Sequence, residues 1–256
     1  MSAPDIVAVV AAGMAAGAIN VLVGSGTLIT FPVLLAVGYA PVTANVSNTI
    51  GLVPGSVAGA IGYRRELEGQ KSRAIRLGTM TFVGAIAGAV ALLVLPPGAF
   101  KAIVPVFIVI ALVLIVLQPR LNKAIAARRE REAALGEAPG EGPAVRAAVF
   151  GTGIYGGYFG AAQGIILLGF LGVTLPEDLQ RVNALKNVLA GLANLVAGVI
   201  FVFAAHVAWL AAGLIAIGSL VGGALAGRYG RKIPAPILRW IIVAVGVFAI
   251  VHIVTG

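Results

Sequence analysis

The sequence predicts an all-α polytopic membrane protein, and three observations carry that expectation. Of its 256 residues 60% are hydrophobic and only 11% charged, against about 25% charged in an ordinary soluble domain. Charge is absent from 6–63, 77–100, 147–176 and 187–227. The mean hydropathy of +1.05 agrees. Apolar runs longer than about 18 residues are membrane spans rather than buried helices of a soluble core.

About eight apolar segments follow in order: 6–37, 42–63, 74–95, 99–118, 145–173, 181–205, 207–227 and 236–254. Only MSAPD precedes the first, with no basic region, so a cleavable signal is not expected. Segment one, as a straight helix, would run roughly 48 Å against a hydrocarbon core of about 30 Å. It is also too short for two spans, and "NVLVGSGTLITFP" interrupts it with glycine. A broken helix or re-entrant hairpin is therefore expected, its freed backbone facing protein.

Segment two carries Asn45, Asn48, Thr49 and Ser56 at i, i+3, i+4 and i+11. At about 100° per residue these share one face. Segments three and four are plain apolar spans. The hydrophilic stretch "QPRLNKAIAARREREAALGEAPGEGP" then reads as a short surface helix plus linker. It divides the chain into an N-terminal membrane repeat (1–118), a charged cytoplasmic linker (119–144) and a C-terminal membrane repeat (145–256).

The second half repeats the first. Segment five, with "GTGIYGGYFGAAQGIILLGF", has the same apolar run, glycine-rich interruption and short apolar run. Segment six places Asn183, Lys186, Asn187 and Asn194 at the offsets of segment two. Weak internal symmetry of this kind marks transporter repeats. Charge supplies the orientation. "RRELEGQKSR", the linker and "RYGRK" hold the basic excess and are expected on the cytoplasmic side. Three full spans between the linker and "RYGRK" cannot satisfy this, whereas a re-entrant segment five plus two spans can. Each half then has an odd number of spans, and the repeats are inverted.

Several chemistries are excluded. There is no cysteine, so neither disulfides nor Cys-based metal or redox sites arise, and no cofactor is expected. The formal charge of +9 suggests nucleic acid, but the cations sit in the connections, where the positive-inside rule and anionic lipid account for them. Gly151–Gly156 matches G-x-G-x-x-G. The strand and βαβ unit of a dinucleotide site are missing around it. With Gly13/Gly17, Gly84/Gly88 and Gly218/Gly222 it is expected to serve close helix packing. An intramembrane hydrolase would need Ser25 with His206 or His252, and nothing in the sequence brings them together. None of the nine acidic residues lies within a span, which disfavours a carboxylate proton relay or cation cage and favours an anionic substrate.

The stretches "GSGTLITFPVLLAVGYAPVTANVSNT" and "YGGYFGAAQGIILLGFLGVTLPEDLQRVNALKNVLAGLANLVAGVIF" resemble the TauE/SafE family of sulfite and organosulfonate transporters. The resemblance covers nearly the whole chain. It implies secondary transport of a small sulfur oxyanion across the bacterial cytoplasmic membrane. Two departures bear on substrate: Ser25 and Thr27 stand where members often carry glycine, and the second break lacks a counterpart of Pro32.

The expected site lies between the two breaks and the polar faces of segments two and six. Helices restarting after each break would offer the backbone N–H groups of Ser25, Gly26, Thr27, Ala162, Gln163 and Gly164 to an anion. Asn45, Asn48, Thr49, Asn183, Asn187 and Asn194 would be neutral donors, and Lys186 the countercharge. Snorkelling of Lys186 to the interface is the competing reading. The expected partners are a small anionic substrate and membrane lipid, with room for a coupling ion (H+ or Na+) and a homodimer. A passive anion channel is the alternative function.

Overall fold

The computed structural model describes residues 1–135 and 141–229, with Trp240, Val243, Ala244 and Val247 beyond them. The eighth segment, His252 and the Gly230–Lys232 part of the last basic connection otherwise lie outside the described residues. The chain is helical: α1 (Ala3–Leu22), α2 (Thr27–Ala36), α3 (Pro41–Gly62), α4 (Lys71–Val94), α5 (Pro97–Leu135), α6 (Pro143–Tyr158), α7 (Gln163–Thr174), α8 (Leu179–Ala204) and α9 (Trp209–Tyr229). Five of these are long and apolar enough to cross a membrane, and α2 and α7 are shorter apolar helices. This is a multi-pass membrane protein.

Local chemistry sets the helix ends. Ser2 and Asp5 form a capping box at the start of α1, and the Asp178 carboxylate accepts from the Gln180 and Arg181 amides at the start of α8. Segments one and five are both broken, at 23–26 and 159–162, and the two ends are built alike. The amides of Val23 and Gly24 both donate to Ile19 O, and those of Phe159 and Gly160 both donate to Tyr155 O. Gly24 (φ +89°) and Gly160 (φ +73°) take the left-handed conformation that such an ending needs. One difference from expectation is α5. It continues through Leu135 as a single helix with Pro105 and Pro119 inside it, so the helical part of the linker is an extension of the fourth span and not a separate surface helix.

The register of glycine contacts gives the helix directions. A Cβ on Gly13 would lie 3.0 Å from Ile215 Cα, and one on Gly17 would collide with the Ser219 backbone. Gly51 and Gly55 of α3 meet the same two residues. Numbers rise together, so α1, α3 and α9 run parallel. In the second cluster of helices Gly153 of α6 meets Thr81 of α4 and Gly157 meets Ala85, so α4 and α6 are parallel too. Between α3 and its counterpart α8 the order reverses: Gly191 faces Ser56 and Gly198 faces Ile50. The two copies therefore run antiparallel, as inverted repeats must.

Because α1 and α3 run the same way, α2 has to bring the chain back between them. Its start lies against α1, where a Cβ on Gly26 would run into Ala16 and Asn20, and Thr30 bonds to Asn48 of α3. Segment one thus enters and returns, and segment five repeats the arrangement. The halves are also interleaved: α1 packs on α9 of the other half, and α6 packs on α4. The expected packing glycines, Gly13/Gly17, Gly84/Gly88 and Gly218/Gly222, all lie in these two interfaces.

An ion network closes one face. Arg73 bridges Glu141 (2.6 Å) and Glu177 (2.7 Å), Arg76 bridges Glu141 (2.8 Å), and Arg181 pairs with Glu177 (2.5 Å) while donating to Glu68 O (2.9 Å). The 63–70 connection, the start of α6 and the α7–α8 connection are thereby tied to the same side. Burial would raise the Glu141 carboxyl, but hydrogen bonds from Arg73 and Arg76 hold it below the ordinary carboxylate range. Glu177 is likewise pushed up by burial and pulled further down by Arg73 and Arg181.

Candidate functional site at the crossing of two broken helices

The two breaks meet backbone to backbone. The Gly164 amide donates to Gly24 O at 3.0 Å, and a Cβ on either glycine would collide with the Cα of the other. Both α1 and α6 end here, and both α2 and α7 begin here. Four helix termini therefore converge in the buried interior, two bringing carbonyls and two bringing amides. At the α7 start two of the expected donors are already engaged, Gln163 N–H by Gly160 O (3.2 Å) and Gly164 N–H by Gly24 O.

The polar stripes of α3 and α8 face this crossing. Asn45, Asn48, Thr49, Asn183, Lys186, Asn187 and Asn194 are all buried. What they bond was not legible in the sequence. Asn183 Nδ2 donates to Val21 O (3.4 Å) at the end of α1, and Lys186 Nζ donates to Asn20 O (3.0 Å) and Val21 O (3.1 Å). In the other copy, Asn45 Nδ2 donates to Tyr158 O (2.9 Å) at the end of α6. Each half's polar helix thus caps the broken helix of the opposite half.

Lys186 is wholly buried, so the snorkelling alternative does not apply. Its ammonium sits at the negative end of the α1 dipole, where a cation is favourable, and two of its three N–H groups hold backbone carbonyls. Asn48 occupies the equivalent slot but bonds within its own half: its Oδ1 accepts from Thr30 Oγ1 and its Nδ2 donates to Thr27 Oγ1 (3.1 Å). Thr49 is turned inward on its own helix, donating to Asn45 O (2.9 Å). Gly164 has spent its amide on Gly24. The amides of Ser25, Gly26 and Thr27 have no acceptor among the described residues. Ala162 holds a left-handed conformation (φ 61°) at the start of α7.

Several buried side-chain atoms here lack any hydrogen-bond partner among the described residues: Ser25 Oγ, Gln163 Nε2, Asn187 Nδ2, and the Oδ1 atoms of Asn45 and Asn183. An orphaned buried polar group costs about 1–3 kcal/mol, so several around one crossing point to something polar that completes them. The Gln163 carboxamide lies over Gly156, which any Cβ would obstruct, and Asn194 Oδ1 comes within reach of Gly160 (3.9 Å from its would-be Cβ). The G-x-G-x-x-G stretch therefore lies in α6, packed on Thr81 and beneath Gln163.

Two residues at the crossing were missed from sequence. Asn20 donates to Ser56 Oγ (3.2 Å) and lends its carbonyl to Lys186, and Thr30 bonds Asn48. Neither has a polar counterpart in the other half, where the matching positions are Gly156 and Ile166. Of the residues considered for a hydrolase, Ser25 is buried at the break and His206 is exposed in the α8–α9 connection.

Residues 9–253 match the family model described as sulfite exporter TauE/SafE. Among curated proteins the chain is similar to "Probable membrane transporter protein YfcA" of Escherichia coli K12, at 26% identity over 88% of this chain and 82% of that one. It is similar to "Probable membrane transporter protein ORF9" of Sinorhizobium sp, at 27% identity over 92% and 87%. A "Probable membrane transporter protein" of Haemophilus influenzae is 24% identical over 84% and 81%. No solved structure matches.

Proposed function

The chain belongs to the sulfite exporter TauE/SafE family of membrane transporters, and from that premise we propose that it carries a small sulfur oxyanion by alternating access. Sulfite or an organosulfonate is the substrate class, and the bacterial cytoplasmic membrane is the setting. The observation that carries the reading is the set of buried donors left without acceptors among the described residues, Ser25 Oγ and Gln163 Nε2 at the two breaks and Asn187 Nδ2 one residue on from Lys186 in α8. An oxyanion supplies acceptors only, and several of them: it completes these three donors and not the Asn45 and Asn183 Oδ1 atoms, which need a donor of their own. Lys186 keeps a third N–H for it, and the free amides at the start of α2 add a dipolar contribution.

The crossing also favours a carrier over the channel alternative. Gly24 and Gly164 touch through their backbones, so passage requires the two hairpins to part. In inverted repeats, that parting can favour one side and then the other.

The test is exchange in proteoliposomes, with labelled sulfite outside and unlabelled sulfite within. Saturable counterflow is expected, and the pair Gln163→Leu and Asn187→Leu should weaken sulfite binding. Loss of one hydrogen bond to a charged group, at about 1.5–3 kcal/mol, corresponds to roughly 10- to 150-fold. Unaltered affinity in both variants would remove the site, and flux that never saturates would overturn the carrier.

A further inference from the structure

Away from the crossing, a cavity of about 720 Å³ opens between the C-terminal ends of α3 and α9. Arg64, Arg65 and Arg228 line it together with Gly62, Ala224 and Gly227. The small residues hold the two helix ends close: a Cβ on Gly62 would lie 2.7 Å from Gly227 Cα. Three guanidinium groups from two separate elements are thus gathered at one opening.

The neighbouring arginines are spoken for. Arg73, Arg76 and Arg181 are all paired with Glu141 or Glu177, whereas Arg64, Arg65 and Arg228 have no carboxylate partner among the described residues. Glu66 also lines the cavity. Among the described residues, three cations line the cavity against that one carboxylate. A helix C-terminus explains one cation at α9, but not the gathering of three around an open cavity.

The flank of this cavity is apolar and uncovered. Ile61, on its lining, is 56% exposed, and the adjacent Val57 and Leu225 are about equally exposed, at 50% each. A small anion has no use for such a wall; an acyl chain does. We propose that this cavity seats the phosphodiester headgroup of an anionic phospholipid of the same leaflet. Arg64, Arg65 and Arg228 bind its oxygens, and one acyl chain lies along Val57, Ile61 and Leu225. Planar guanidinium groups suit phosphate oxygens through paired hydrogen bonds, and basic recesses between spans on the positive side are suited to anionic headgroups. The site is distinct from the transport crossing and stands whether or not sulfite is the substrate.

Thermal stability of the purified full chain, titrated with phosphatidylglycerol or phosphatidylcholine in neutral detergent, tests this. Phosphatidylglycerol should raise Tm saturably and phosphatidylcholine should not. The combined Arg64→Gln, Arg65→Gln and Arg228→Gln variant should need roughly 100-fold more phosphatidylglycerol, and Arg76→Gln should respond as the native chain does. Ala224→Leu keeps every charge and narrows the cavity where its lining is closest, so it should also weaken the response; it decides the matter if the triple variant does not fold. Equal response to the two lipids, or an undiminished response in Ala224→Leu, would overturn the site. Equal protection by free glycerol phosphate would overturn the lipid assignment.

Discussion

Asn48 of α3 and Lys186 of α8 hold the same place in two copies of one element, yet they bond in opposite directions. Asn48 reaches the hydroxyls of Thr27 and Thr30 in its own half, while Lys186 crosses to the carbonyls of Asn20 and Val21 in the other. The reason lies in the groups themselves. An amide both donates and accepts and can satisfy itself among hydroxyls. An ammonium only donates, and in a buried setting it needs acceptors with partial negative charge, which a helix C-terminus supplies. The two halves are geometric twins with different electrostatics: one broken helix is capped by an amide alone, the other by an amide and a formal charge. Among the described residues of the spans facing the crossing, Lys186 is the charged one, and that gives a symmetric scaffold a polarity.

The largest effect should come from the contact that both halves share. Gly24→Val or Gly164→Val drives a branched side chain into the backbone of the opposing break. Folded protein should be lost in both, measured as monodisperse yield after solubilisation. Gly26→Val belongs with them, because its new side chain would meet Ala16 and Asn20. From sequence, Gly26 and Gly164 are expected to offer their backbone to an anion. Their neighbours make packing sufficient, so loss of transport in such variants carries no information about binding.

Making the halves alike is the next sharpest test. Lys186→Asn copies the first half into the second and leaves the Asn20 and Val21 carbonyls short of their donor. It should lower Tm and weaken sulfite affinity by roughly 10- to 150-fold, the loss of one ionic hydrogen bond. Lys186→Arg keeps the charge but replaces a point donor by a fork and should recover only part of either property. An affinity within twofold of native for Lys186→Asn would reduce the lysine to a helix cap.

Smaller and more even effects are expected at the amide caps. Asn45→Ala and Asn183→Ala each remove one hydrogen bond to a helix end, at 2.9 and 3.4 Å. Each should cost about 1 kcal/mol, with the Asn45 variant the more destabilised. A marked effect in one and none in the other would show that the twin caps do not share one role.

The smallest effect concerns the ion network, which has no ionic counterpart among the described residues on the opposite face. There, Ser47 Oγ accepts the Ala208 amide at 2.9 Å. Glu141 and Glu177 both have depressed carboxyls. Their contribution is therefore fully present above the ordinary carboxylate pKa of about 4.3 and fades as pH falls through their lower folded values. Tm should hold from neutral pH to about 5 and drop below about 4. Glu177→Gln should lower Tm at pH 7 yet flatten that acid decline.

Much of this was legible in the sequence because it follows from periodicity. The stripe at i, i+3, i+4 and i+11 fixed which faces of α3 and α8 turn inward, and the excess length of segment one forced a break. The count of spans between basic loops required inversion, and the antiparallel register of Gly191 with Ser56 agrees with it. Capping across the halves was not legible, since periodicity says which face is buried but not which helix end arrives there. Asn20 and Thr30 escaped because neither has a polar echo in the other half. The contact of Gly164 with Gly24 was not legible because a small residue serves close packing and ligand approach equally well in sequence.

The central claim is the inverted arrangement, and the sidedness of four positions tests it most directly. The chain has no cysteine, so single cysteines at Ala40, Glu68, Gln180 and His206 can be probed in intact cells with an impermeant thiol reagent. Inverted repeats put Glu68 and Gln180 together on the cytoplasmic face, reactive only after permeabilisation, and Ala40 and His206 together outside. Labelling of Gln180 from outside with His206 protected would contradict the account, because that is the pattern of eight simple spans.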